Sequence, residues 1–215
     1  MIYSNKKMII FDWNGTLIDD VWLNLNAING VLEKRKINPI TIEYYRENFL
    51  FPVSVFYKEL GLDIEKEWEE ITREFGDLYL AGIDKVKLFP DVVPSLEELK
   101  KAGIEVGIFS AMEHHLLNKH VKALRISQYF RFIEGIENFY AGGKTHLCKK
   151  ILEKSGYSER EILFVGDTCH DYETAKALGC NAALVSRGHN TAEILRNTGA
   201  PVFGSISELI NLSRG

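Results

Sequence analysis

The alternation of short apolar runs with helical patterns constrains this chain more than any other feature. Apolar runs stand at residues 8–11, 104–109, 132–133, 162–165 and 182–185, with a candidate sixth at 201–203. Apolar runs of this length, bounded by turn residues, read as central strands of a parallel sheet covered on both faces. Helical patterns lie between them. Residues 91–102 place Val92, Leu96 and Leu99 on one face, with Gly103 as the stop. Residues 147–154 and 173–178 repeat the pattern, with Gly156 and Gly179 just beyond. Strand, helix, strand, helix predicts an α/β fold with a doubly wound (Rossmann-like) parallel sheet.

One stretch departs from this rhythm. From about Asp19 to Gly82 there is no strand-like run. Val21, Trp22, Leu25, Ile28, Val31 and Leu32 recur at helical spacing after the Asp19-Asp20 start signal, and residues 52–60 and 64–80 read as two more helices. This stretch is too long for a single crossover. It predicts an inserted α-helical cap domain at 19–82, with the α/β core formed by 1–18 and 83–215. A chain of 215 residues accommodates both.

Composition narrows the partners. The chain is 46% hydrophobic and 26% charged, with a net charge of −4. That balance provides no basic field for nucleic acid or a membrane surface. No run approaches the roughly 20 apolar residues that span a bilayer. The apolar run after Lys6-Lys7 stops at Asp12, short of the roughly 7–15 residues of an export signal. Cys148, Cys169 and Cys180 have neither metal-ligand nor disulfide spacing, which fits a reducing cytoplasm.

In an open α/β sheet, ligands bind beyond the carboxyl ends of the strands. Asp12 ends the first strand, Ser110 the second, and Gly166-Asp167 the run 162–165. Lys144 opens a helix after Gly142-Gly143. Two carboxylates about 4 Å apart repel each other and call for a cation between them. Hard oxygen ligands without His or Cys spacing favour Mg²⁺, which typically binds one or two carboxylates and a substrate phosphate.

At these residues the chain resembles a known family. Asp12-Trp13-Asn14-Gly15-Thr16-Leu17 is similar to the first motif of the haloacid dehalogenase superfamily, whose phosphatases read D-x-D-G-T. Ser110 resembles the second motif and Lys144 the third. Gly166-Asp167-Thr168-Cys169-His170-Asp171 resembles the fourth, G-D-x-x-x-D. The motifs occur in order over nearly the whole chain. The helical stretch resembles the cap that many members insert, and Phe89-Pro90-Asp91-Val92 is similar to the re-entry segment of the phosphoglycolate-phosphatase-like branch. The resemblance implies a Mg²⁺-dependent phosphatase acting on a small phosphorylated metabolite, as a monomer or homodimer. Asp12 would be the nucleophile that carries the phosphoryl group. Asp12, the Asn14 main-chain carbonyl and Asp167 would bind the metal, with Asp171 in its outer shell. Thr16, Ser110, Ala111 and Lys144 would hold phosphoryl oxygens, Lys144 also neutralising the charge that is transferred.

The chain departs from the pattern at Asn14, where family phosphatases carry the aspartate that protonates the leaving oxygen and later activates water. An amide does neither, and loss of a positioned acid/base costs about 10²–10⁴-fold. Four readings stay open. The enzyme acts on easy leaving groups such as acyl or aryl phosphates. His114, His115 or His170 replaces the acid/base. Trp13 and a cap lysine, with Lys58 the nearest, make it similar to the carbon–phosphorus hydrolases, whose motif is D-W-A-G-T. Or the fold serves binding or regulation with little turnover. The insert is rich in aromatic residues, and its loop 49–52 is the candidate specificity segment. Gly188-His189-Asn190 follows the run 182–185 at the active edge, where it could touch the phosphate side, but it reads first as an ordinary strand-to-helix loop, and Cys169 reads as a bystander.

Overall fold

The computed structural model describes residues 5–136 and 148–211. Its centre is a six-stranded sheet built from β1 (Met8–Phe11), β4 (Glu105–Glu113), β5 (Phe130–Ile136), β6 (Ile162–Gly166), β7 (Asn181–Val185) and β8 (Val202–Phe203). The spatial order is β5-β4-β1-β6-β7-β8, and every ladder is parallel. Strand β1 lies between β4 and β6, pairing Phe11 with Ile108 on one side and Val165 on the other. The chain therefore leaves β1 toward one edge and later returns to its other flank. That reversal opens a crevice at the carboxyl end of β1.

Period-2 alternation sends the β1 side chains to two cores. Ile9 and Phe11 pack with Val106, Ile108, Leu163 and Val165 beneath α5 (Val92–Lys101), α6 (His114–Ala123) and α10 (Ile206–Asn211). Met8 and Ile10 pack with Ile162 and Phe164 against α7 (Cys148–Ser155) and α8 (Cys169–Leu178). All four β1 residues are fully buried, which is why the run reads as continuously apolar.

Four α-helices lie between Asp19 and Lys87: α1 (Val21–Lys34), α2 (Ile42–Asn48), α3 (Val53–Glu59) and α4 (Ile64–Gly82). They have a hydrophobic cluster of their own, built around Ile28, Val31, Tyr45, Phe56 and Ile71. Their two ends meet in a small antiparallel ladder, β2 (Ile18–Asp19) against β3 (Lys87–Leu88). Helix α2 has no counterpart in the sequence reading because only Tyr45 among its seven residues is buried, too little for a periodic signal.

Two further differences have physical causes. Ser110 does not end its strand: β4 runs on to Glu113, with a register irregularity between Phe109 and Glu113 that bends it past the crevice. Helix α8 starts four residues ahead of the expected 173, because Thr168 and Asp171 form a capping box at its N-terminus.

Candidate active site

Asp12 and Asp167 stand just past the crevice ends of the adjacent strands β1 and β6, Ser110 lies within neighbouring β4, and all three are buried. Carboxylate oxygens of Asp12, Asp167 and Asp171 lie within 4.8 Å of one another. Burial pushes the Asp167 pKa up to about 6, Asp171 adds to the rise, and His189 opposes it. Buried carboxylates this close are stabilised by a cation. An all-oxygen donor set of this kind suits Mg²⁺ rather than a thiolate- or imidazole-seeking metal.

Local backbone demands explain the motif spellings. Gly15 has φ +68°, and a Cβ there would strike Asp167 Oδ2 and His189. Thr16 is fully buried and donates its hydroxyl hydrogen to Asp167 Oδ1 at 2.5 Å. Asp171 Oδ2 accepts from the Asp167 and Thr168 amides at 3.1 and 2.9 Å and from the Thr168 hydroxyl at 2.7 Å. One side chain thus caps α8 and shapes the loop that carries Asp167. Ser110 Oγ accepts from the Met112 amide at 3.1 Å, and Ala111 follows it along the cavity wall. Lys144 lies outside the described residues.

Asn14 sits in a polar network that its sequence context did not reveal. Its Nδ2 donates to Asp20 Oδ2 at 2.6 Å and to the Tyr79 hydroxyl at 2.9 Å. Tyr79 in turn donates to Asp20 at 2.9 Å, as do Asn24 at 2.8 Å and the Gly15 amide at 2.8 Å. Both amide hydrogens of Asn14 are committed, which leaves its Oδ1, an acceptor, for an occupant of the cavity. Asp20 is fully buried. Burial works to raise its pKa, but His189, Asn14 and Tyr79 outweigh burial and hold it below the ordinary value.

His189, in the loop after β7 that the sequence places at this edge, takes part in the site. Its amide donates to Asp167 Oδ2 at 2.7 Å, its Nδ1 shares a 2.9 Å hydrogen bond with the Tyr45 hydroxyl, and its Nε2 is 3.7 Å from Asp20 Oδ1. Burial works to lower its pKa, yet Asp20, Asp167 and Asp12 together raise it to about 9. The sequence signal for both residues was slight: Asp20 read as a helix start, and His189 as one residue of a loop. Asp20 does sit at the N-cap of α1, but its side chain makes no capping bond there because it turns to Asn14 and Gly15.

Of the other histidines considered, His170 lines the cavity in front of Asp12, whereas His114 and His115 border a separate small pocket with Glu113 and Glu134. Trp13 is fully buried, packed edge-on to His120 at 5.6 Å, so it belongs to the core. The Lys58 side chain is 65% exposed beside Glu65 and does not line the cavity. The cavity itself measures about 780 Å³ and runs from Asp12 and Asn14 up between the helices. Arg187 braces the site from below: it pairs with Asp91, donates to the Thr16 carbonyl at 2.8 Å and stacks over Phe89 at 4.0 Å.

The family model described as haloacid dehalogenase-like hydrolase matches residues 9–185. Phosphoglycolate phosphatase of Aquifex aeolicus is 29% identical, with 85% of this chain and 86% of that protein covered. Phosphoglycolate phosphatase 1 of Pseudomonas aeruginosa is 25% identical, with 86% and 71% covered. Among solved structures, a haloacid dehalogenase-like family protein from Streptococcus pneumoniae superposes with a TM-score of 0.85 at 21% identity, covering 97% of this chain and 99% of that one.

Proposed function

The chain belongs to the haloacid dehalogenase-like hydrolases, and from that premise we propose that it is a phosphatase that moves the phosphoryl group of a small phosphorylated metabolite onto Asp12 and then to water. The relatives named phosphoglycolate phosphatase support phosphate-ester chemistry. The observation that carries the reading is the buried cluster of Asp12, Asp167 and Asp171, of which Asp12 and Asp171 line the cavity. Asp12, Asp167 and the Asn14 carbonyl would hold Mg²⁺, with Asp171 behind them. When bound, the ion neutralises phosphate charge and orients the phosphoryl group.

The chain's own residues supply the rest. Asp12 attacks phosphorus and the ester oxygen departs with its electron pair. Thr16 fixes the rotamer of Asp167. Ser110, Ala111 and Lys144 hold phosphoryl oxygens. Asn14 accepts a hydrogen bond through Oδ1 but passes no proton. Water then attacks phosphorus, releasing phosphate and restoring Asp12. Residues 19–82 act as a cap that keeps bulk water from the cavity; the separate hydrophobic cluster of these helices supports this division. The thiols Cys148, Cys169 and Cys180 are unbridged, which is consistent with a cytoplasmic setting.

The carbon–phosphorus hydrolase reading loses support, because Trp13 is core and the exposed Lys58 does not line the cavity. The reading as a weakly active binding protein is separated by experiment. Phosphate release from a panel of esters with Mg²⁺ is measured for the wild type and for Asp12→Asn. A loss of about 10⁴-fold or more is expected. Turnover that survives in Asp12→Asn, or no turnover and no fluoroberyllate binding by the wild type, would sink the proposal.

A further inference from the structure

The cavity above Asp12 is walled by rings. One series runs from Tyr79, hydrogen-bonded to Asn14, to Phe75, Tyr57 and Trp68, with successive centroids 6.1, 6.1 and 6.2 Å apart. A second faces the core: Phe49 lies 5.2 Å from the His189 ring, and Phe51 stacks on His170 at 4.6 Å. A two-carbon acid phosphate needs a cation to meet its carboxylate and little room. Here the volume is about 780 Å³, in the upper part of the roughly 300–1,000 Å³ range of drug-sized sites. Among the described residues, the single Lys or Arg in its lining is Arg73, whose side chain is 70% exposed and turned toward Glu70.

A second, independent observation concerns the leaving group. Asn14 donates no proton, and both its amide hydrogens are bound to Asp20 and Tyr79. An alkoxide leaves poorly without an acid, since the pKa of its alcohol is close to that of water, about 15.7. A phenol has a pKa of about 10 and its oxyanion departs far more readily.

Resting on the phosphatase reading above, we infer that the substrate is an aromatic phosphate monoester whose ring system occupies the ring-lined cavity. The phosphorus–oxygen bond to the aryl group breaks with its electron pair on the aryloxide, as an Asp12 oxygen bonds to phosphorus. The aryloxide takes a proton from solvent. Water then attacks phosphorus, the Asp12–phosphorus bond breaks, and the water's proton returns to solvent. The net reaction is ester plus water to phenol plus phosphate. The aromatic faces recognise the ring by stacking and edge contacts.

Binding and turnover are measured separately on the full chain with Mg²⁺. Calorimetry compares three non-hydrolysable phosphonates: 1-naphthylmethylphosphonate, octylphosphonate and phosphonoacetate. The naphthyl ligand is expected to bind about tenfold or more tighter than either of the others. Equal or weaker binding overturns the aromatic assignment. Trp68→Leu and Phe51→Leu, each checked by thermal melting, are expected to reduce the naphthyl-to-octyl affinity ratio. A ratio unmoved in both overturns the placement of the ring on these walls. Phosphate release from 1-naphthyl phosphate by the same preparation tests the other claim. An intact naphthyl preference with no release overturns the phosphatase reading and leaves the aromatic site standing.

Discussion

At position 14 an amide stands where the family pattern has a carboxylate, and a carboxylate waits 2.6 Å away at Asp20. Replacing Asn14 by Asp would set a half-buried carboxylate against the fully buried Asp20, and the pair would share one proton. The expected outcome is that Asn14→Asp alone lowers the melting temperature and gains little activity. Combining it with Asp20→Asn removes the clash and restores an acid/base. That double variant should raise turnover of hexyl phosphate by about 10²-fold or more, with a smaller gain for an aryl ester. A double-mutant cycle on rate and melting temperature measures the coupling; additive effects would contradict it. His189 makes a separate prediction for the metal-free chain. Asp20, Asp167 and Asp12 face its ring or its amide and Tyr45 its Nδ1, and its pKa is raised to about 9 against roughly 6.5 in the unfolded chain. A raised pKa means stability that is fully present below about pH 6.5 and is lost as pH rises through about 9. Melting curves in EDTA from pH 6 to 10 should decline over that window, and the decline should shrink in His189→Gln.

Helix α8 shows how a motif spelling can serve chemistry and folding together. Thr168 accepts from the Asp171 amide while Asp171 accepts from Thr168, so the fourth motif is also a capping box. Thr168→Ala is expected to cost about 1 kcal/mol, lowering the melting temperature by roughly 2–4 °C, while Thr168→Ser stays close to the wild type. The strands most legible in the sequence are those whose burial is continuous: β1 and β6 throughout, and β7 over Ala183 to Val185, because both faces are covered there. Asp12 and Asp167 were legible because strand ends in this fold converge by rule, whereas Ser110 lies inside β4 rather than at its end. What stayed hidden has a common cause. Asp20 meets Tyr79 across 59 residues of chain and Tyr45 meets His189 across 144, and no local period or spacing records a contact of that kind. The extension of β4 past Ser110 was hidden likewise, since it depends on its pairing with β5.

For the molecule as a whole, the helices and the sheet are latched together over the site. Arg46 donates to the Ser186 and Asn190 carbonyls at 2.7 and 3.4 Å, Asn190 donates to the Phe49 carbonyl at 2.8 Å, and Tyr45 meets His189. Any parting of the two halves must break these bonds. Arg46→Ala should therefore speed amide hydrogen exchange at residues 49–53 and 186–190 while leaving β1 and β6 protected; exchange that rises evenly across the chain, or does not rise, would argue against a latch. The small β2–β3 ladder has a consequence of a different order. It holds Ile18 beside Leu88, so all that lies between them departs from and rejoins the sheet at one point, and the closure entropy of the core depends only weakly on how long that excursion is. A helical segment of another length and lining could be grafted at the same two strands without re-registering the sheet. Selectivity could then be exchanged as a cassette, provided the replacement carries partners for His189, Ser186 and Asn190.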